Sequence, residues 1–113
     1  MNGVKTGRIA GDIRREMVEI LREVKDPRVS GLLSIVKVDV SGDLSYAKIY
    51  VSAIEGAEKT AESVAGLKSA AGYIRRELGH RLQLRKVPEV KFLADDSIAQ
   101  SAHIAGIIEG FKD

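Results

Sequence analysis

The 113-residue chain has no cysteine, only two histidines, and aromatic residues at just 4% of its length. Without cysteine it can form neither a disulfide nor a thiolate metal site. The histidines, His80 and His103, have no partner at metal-binding or triad spacing. No metal, cofactor or catalytic residue is therefore expected. The aromatic residues Tyr46, Tyr50, Tyr73, Phe92 and Phe111 are too few for a general single-strand binder, which stacks successive bases on exposed rings. No apolar run comes near the roughly 20 residues of a membrane span. The opening "MNGVKTGRIAGDIRREM" lacks the apolar core of a signal peptide. A cytoplasmic chain without membrane attachment is expected.

What is present has the balance of a globular domain, 44% hydrophobic and 30% charged residues. The length fits a single domain over 1–113, with 1–4 and 112–113 expected as flexible ends. The formal net charge of +2 does not by itself indicate nucleic acid, but its distribution does. From Ser69 to Lys91 there are six basic residues (Arg75, Arg76, Arg81, Arg85, Lys86, Lys91) against Glu77 and Glu89, a local charge of 6 − 2 = +4. The remainder of the chain then sums to 2 − 4 = −2. Phosphate binding follows the local field, so the concentrated segment matters more than the total.

Hydrophobic spacing divides the chain into elements. Ile9, Ile13, Met17, Ile20, Leu21 and Val24 recur at three- and four-residue steps, which predicts an amphipathic helix over Lys5–Val24. "KDPRVSG" ends it, because Pro27 disfavours helical geometry at Asp26. "LLSIVKVDV" and "LSYAKIYVSAI", joined by "SGD", read as a β-hairpin. A long helix follows over 58–82, with Val64, Leu67, Ala71, Ile74, Leu78 and Leu82 on one face. "LRKVPEVKFLADD" reads as a third strand, where Pro88 argues for an edge position or a break in the ladder. A last helix over Ser97–Gly110 carries Ile98, Ile104, Ile107, Ile108 and Phe111. The expected fold is α+β in the order α-β-β-α-β-α, a three-stranded sheet with helices on one face.

The long helix poses a problem. Gly66, Gly72 and Gly79 each cost about 0.5–1 kcal/mol relative to alanine in a helix interior, so a kink or break near Ala70–Gly72 is expected. In a regular helix Lys68, Gly72, Arg75, Arg76 and Gly79 would lie away from the apolar stripe. A break there would free backbone amides at the start of the second half, where the helix dipole favours an anion and small residues allow close approach. Arginines one turn on could clamp a phosphate. Against this stand ordinary readings: helix glycines often serve close packing, and basic residues on an outer face are commonly just solvated.

The segments "KDPRV", "VSGDLSYAKIYVS", "SAAGYIRRELGHRLQLRKVPEVKF" and "DDSI", in collinear order over nearly the whole chain, resemble bacterial ribosome-binding factor A. The resemblance implies a type II KH-like fold in which an alanine-x-glycine kink, here Ala70, Ala71 and Gly72, replaces the GxxG loop that holds nucleic-acid backbone in ordinary KH domains. It further implies a non-catalytic role in late maturation of the small (30S) ribosomal subunit: binding its 16S rRNA, supporting processing of the rRNA 5′ end, and sustaining growth in the cold. Release by a dedicated GTPase or by initiation factor action is implied too, with the factor working as a monomer. The rRNA contacts that follow by position are Lys68, Ala70, Ala71, Gly72, Arg75, Arg76, Arg81, Arg85 and Lys86, with Arg28 of "DPRV" a weaker member. Many relatives carry a tail beyond the point where this sequence ends.

Two readings from other classes stand beside this one: a free-standing KH-like regulator of single-stranded nucleic acid, and a protein interaction module whose basic face is incidental. Catalysis has little to rest on. Asp95 and Asp96 directly precede Ser97, where "DDS" serves as a helix cap, and "SGD" lacks the lysine and following helix of a phosphate loop.

Overall fold

The computed structural model of the chain describes residues 2–95, with side chains from Gly7 onward. The helix expected over Ser97–Gly110 lies outside the described residues. The elements are α1 (Asn2–Glu23), β1 (Leu33–Val40), β2 (Tyr46–Ala53), α2 (Ala57–Ser69), α3 (Ala71–Leu82) and β3 (Glu89–Ala94). β2 is the central strand, antiparallel to β1 and parallel to β3. Both outer strands are edges, and Pro88 sits just before one of them, where its missing N–H costs no ladder bond.

Period-2 alternation sorts β2 cleanly. Ala47, Ile49, Val51 and Ala53 are buried, while Tyr46, Lys48, Tyr50 and Ser52 are half-buried on the opposite face. β1 is less regular for a physical reason. Its register with β2 skips Val36, so Ile35 faces Val51 and Lys37 faces Tyr50. This bulge shifts the core-facing positions from Leu33 and Ile35 to Val38 and Val40, which is why "LLSIVKVDV" alternates only towards its end. The three helices pack on one face of the sheet. Ile13, Met17 and Ile20 of α1, Leu67 of α2, and Ile74 and Leu78 of α3 are fully buried with Ile49, Val51 and Phe92.

The third strand starts five residues later than "LRKVPEVKFLADD" suggests. Gln83 takes left-handed geometry (φ 51°, ψ 46°) and ends α3, and the Leu84 N–H returns to the Gly79 carbonyl at 3.1 Å. Pairing resumes where the Glu89 N–H donates to the Ser45 carbonyl at 2.9 Å. Pro88 and the cap together keep residues 84–88 out of the ladder.

The helix glycines have different reasons to exist. A Cβ on Gly66 would stand 2.7 Å from Val29 Cγ2 and 3.3 Å from Asp26 Cγ, and one on Gly79 would stand 2.6 Å from Val87 Cγ2. Both are packing glycines. Gly79 therefore does not face outward with the basic residues, because the 84–88 segment folds back over it. Of the three glycines in α2 and α3, only Gly72 has open space where a side chain would be. Gly66→Ala should lower stability by about 1–3 kcal/mol, the usual penalty of overpacking. Gly72→Ala should be neutral or stabilising by up to about 1 kcal/mol. Thermal denaturation of the two variants tests this, and equal effects would contradict it.

Candidate nucleic-acid interface

The break falls at Ala70, whose backbone (φ −95°, ψ 6°) lies in the sparsely occupied bridge region. Its N–H is shared between the Gly66 and Leu67 carbonyls at 3.2 and 3.1 Å, and its own carbonyl accepts from Ile74 at 2.9 Å. One helix closes and the next opens on the same residue. The Ala70 amide is therefore engaged, and an incoming anion would have to use the amides that follow it. Ala70 contributes no side-chain cap. It packs against the core, whereas Gly72 faces solvent.

α2 holds the preceding loop along one stripe. Lys59 Nζ donates to the Pro27 carbonyl at 3.0 Å. The buried Ser63 hydroxyl accepts the Ser30 N–H at 3.0 Å and shares its one proton between the Lys59 carbonyl at 2.7 Å and the Arg28 carbonyl at 3.3 Å. Gly66 admits Val29, and Ser69 Oγ accepts from the Arg28 guanidinium at 3.1 Å. Positions 59, 63, 66 and 69 recur at helical spacing, so "KDPRV" is fastened beside the break. Arg28 also grips Asp26 through two side-chain bonds of 3.1 and 2.7 Å. This holds the Asp26 carboxyl down at about 2 and raises the Arg28 guanidinium.

The basic residues named from sequence separate into two groups. Arg81 donates to Glu23 at 2.7 Å and lies 3.5 Å from Glu77, and Tyr73 Oη donates to the same Glu23 carboxylate at 3.2 Å. The Arg81 bond is the main cause holding Glu23 below the usual carboxylate range. Arg75 donates to the Val87 carbonyl at 2.9 Å, fastening the 84–88 segment to α3. Arg28, Arg75 and Arg81 thus have structural employment. Lys68, Arg76, Arg85 and Lys86 are exposed and make no hydrogen bond or salt bridge among the described residues. Lys68 and Arg76 flank the break from α2 and α3, and Arg85 and Lys86 follow the α3 cap. The roles of Glu23 and Ser69 were not legible from spacing, since each bonds to a residue more than forty positions away, whereas Asp26 bonds Arg28 within one turn. The proline-directed turn "DPR" was the one local hint.

No group of three or more histidine or acidic residues among the described residues could hold a metal ion. No helix among them is long and apolar enough to cross a membrane.

A three-stranded sheet covered on one face by α1 and by a helix broken at Ala70, with unpaired cations on both sides of the break, defines a KH-like α+β domain. The family model described as ribosome-binding factor A matches residues 5–108. The chain belongs to the ribosome-binding factor A family. It is 52% identical over 102 residues to the ribosome-binding factor A of Acetivibrio thermocellus, covering 89% of this chain and 83% of that one. To the Clostridium tetani protein it is 43% identical over 110 residues, covering 96% and 91%. Among solved structures it is similar to the Thermus thermophilus factor (TM-score 0.71, 26% identity, 79% of this chain and 93% of that one). It is also similar to a Thermotoga maritima protein described as a putative ribosome binding factor A (TM-score 0.74, 29% identity, 82% and 89%). A homology model of the Thermus thermophilus factor, as fitted into a cryo-electron-microscopy map of a complex with the 30S subunit, aligns with TM-score 0.67 and 26% identity, covering 79% and 93%.

The Asp26–Arg28 pair gives a pH dependence of definite sign. The folded carboxyl, at about 2, is depressed from 3.8, so its contribution is complete above 3.8 and disappears as pH falls towards 2. Asp26→Asn should lower the melting temperature at neutral pH and flatten its fall between those two values. A parallel acid profile for variant and wild type would show that the pair contributes nothing, a real alternative because Arg28 is substantially exposed.

Proposed function

We propose that this chain is a non-catalytic assembly factor that binds the small ribosomal subunit through the surface around the Ala70 break during late maturation. The observation that carries the reading is the placement of Lys68 and Arg76, exposed and without a hydrogen bond or salt bridge among the described residues, on either side of a helix start with no side-chain cap, with the exposed Arg85 and Lys86 beyond the far end of α3. Membership of the family and the 30S complex of the Thermus thermophilus relative make 16S rRNA the expected ligand.

The four cations neutralise phosphates, and bare space at Gly72 lets the RNA backbone approach the first turn of α3. Arg28, Arg75 and Arg81 act mainly through shape: they fix the loop before α2, the segment after α3 and the junction with α1. Tyr73, with its hydroxyl fixed to Glu23 and the residue 41% exposed, is placed to lie against a base without first losing side-chain freedom. Recognition then depends on backbone and folded shape more than on base edges.

Function follows from differential affinity. A factor that binds an immature rRNA conformation better than the mature one stabilises the first and leaves as the second forms. Support of 5′-end processing, release by a maturation GTPase, action as a monomer and a cytoplasmic setting complete the proposal.

Binding to purified small subunits should weaken steeply with salt. Losing two phosphate contacts in Lys68→Ala/Arg76→Ala should reduce the slope of log K against log salt by roughly 1.4–1.8. Arg81→Ala should instead lower the melting temperature and leave the slope nearly unchanged. Cosedimentation across a salt series measures both. Undiminished binding by the double variant would remove the surface from consideration, and equal affinity for arbitrary single strands would favour a general nucleic-acid regulator.

A further inference from the structure

Four of the five large apolar side chains that stand exposed among the described residues line a single groove. They are Val18 on α1, Leu32 just before β1, Val36 at the bulge within it, and Ile54 just after β2. Leu32 is 64% and Ile54 75% exposed. Scattered apolar residues on a surface need no account, but this collection around a cavity of about 1110 Å³ does. The bulge at Val36 contributes to it, because skipping that residue in the ladder turns its side chain out of the core. Arg14 borders the groove with its guanidinium bonded to the Ile35 carbonyl at 3.0 Å.

The chain itself points to the occupant. β3 ends at Ala94, and Ala94 and Asp95 both line the groove, so the polypeptide continues from its wall. Beyond Asp95 come 113 − 95 = 18 residues, "DSIAQSAHIAGIIEGFKD", with Ile98, Ile104, Ile107, Ile108 and Phe111 among mostly small or polar neighbours. A segment so rich in isoleucine needs an apolar surface, and a tether this short raises its effective concentration at the groove to about the millimolar range. A separate partner or a second copy would have to compete with that.

We propose that the apolar residues between Ile98 and Phe111 cover this groove in the same chain, with Ile54 and Leu32 as their anchors. None of Lys68, Arg76, Arg85 and Lys86 lines the groove, so the inference does not depend on the nucleic-acid reading.

The absence of native cysteine allows a clean test on the full chain. Ile54→Cys/Ile108→Cys should form a disulfide within one chain under mild oxidation, running as a monomer on a non-reducing gel. Arg76→Cys/Ile108→Cys, with one thiol on α3, should not. Bonds formed only between chains would give the groove to a second copy, and no bond, or equal bonding in both variants, would leave it uncovered by this segment; each overturns the proposal. In parallel, Ile104→Asp/Ile108→Asp should raise binding of a hydrophobic dye several-fold while the circular dichroism of the folded domain persists. Unchanged dye binding would contradict the proposal independently.

Discussion

The close approach of the Asp26–Val29 loop to Gly66 is the contact on which the rest of the arrangement depends. With no side chain at Gly66, Val29 reaches the α2 backbone, and this brings the Arg28 and Pro27 carbonyls within range of Ser63 and Lys59. The loop after α1 is thereby set against α2, and Glu23 in the last turn of α1 meets Arg81 and Tyr73 of α3. The break at Ala70 lies between these two attachments. Its angle is consequently fixed from both sides, as the proposed contact with an RNA backbone requires. Strain near the bridge region costs little when both flanking helices are anchored.

Much of this was legible in the sequence, for reasons that differ by element. α1 and β2 follow directly from periodicity, because each has one wet and one dry side. The break was legible from the low helix propensity of Gly66, Gly72 and Gly79, although it falls at Ala70 and two of those glycines serve packing. The start of β3 was not, because Gln83 in left-handed geometry carries no composition signal and the cap it forms uses a carbonyl five residues back. Gly79 was misplaced for a related reason: whether a helix glycine faces solvent or a neighbouring segment depends on tertiary contacts that spacing cannot contain.

Charge was legible only in part. Counting placed +4 between Ser69 and Lys91, yet counting cannot say which cations already have partners. Arg81 spends its charge on Glu23 and Glu77, more than fifty residues away in one case and one helical turn in the other. Arg75 gives a donor to a carbonyl. The field available outside the protein is therefore generated by fewer groups than the sequence suggests, and these are the lysines and arginines with the greatest side-chain freedom. The fixed arginines shape the surface and the free ones supply its potential, a division that separates geometry from affinity.

The parallel pairing of β2 with β3 bears on the order in which the fold can be completed. The β1–β2 hairpin closes over the five residues between Val40 and Tyr46, but β3 can join only after the whole α2–α3 connection has been made. Until Glu89–Ala94 arrives, β2 has one unpaired edge and the helices lack Phe92, among the largest of the fully buried side chains. On a chain being synthesised, that strand is the last of the described elements to emerge. The proposed RNA surface on α2 and α3 would then acquire its final shape only when β3 arrives, with the closing strand acting as a late quality check on the described fold.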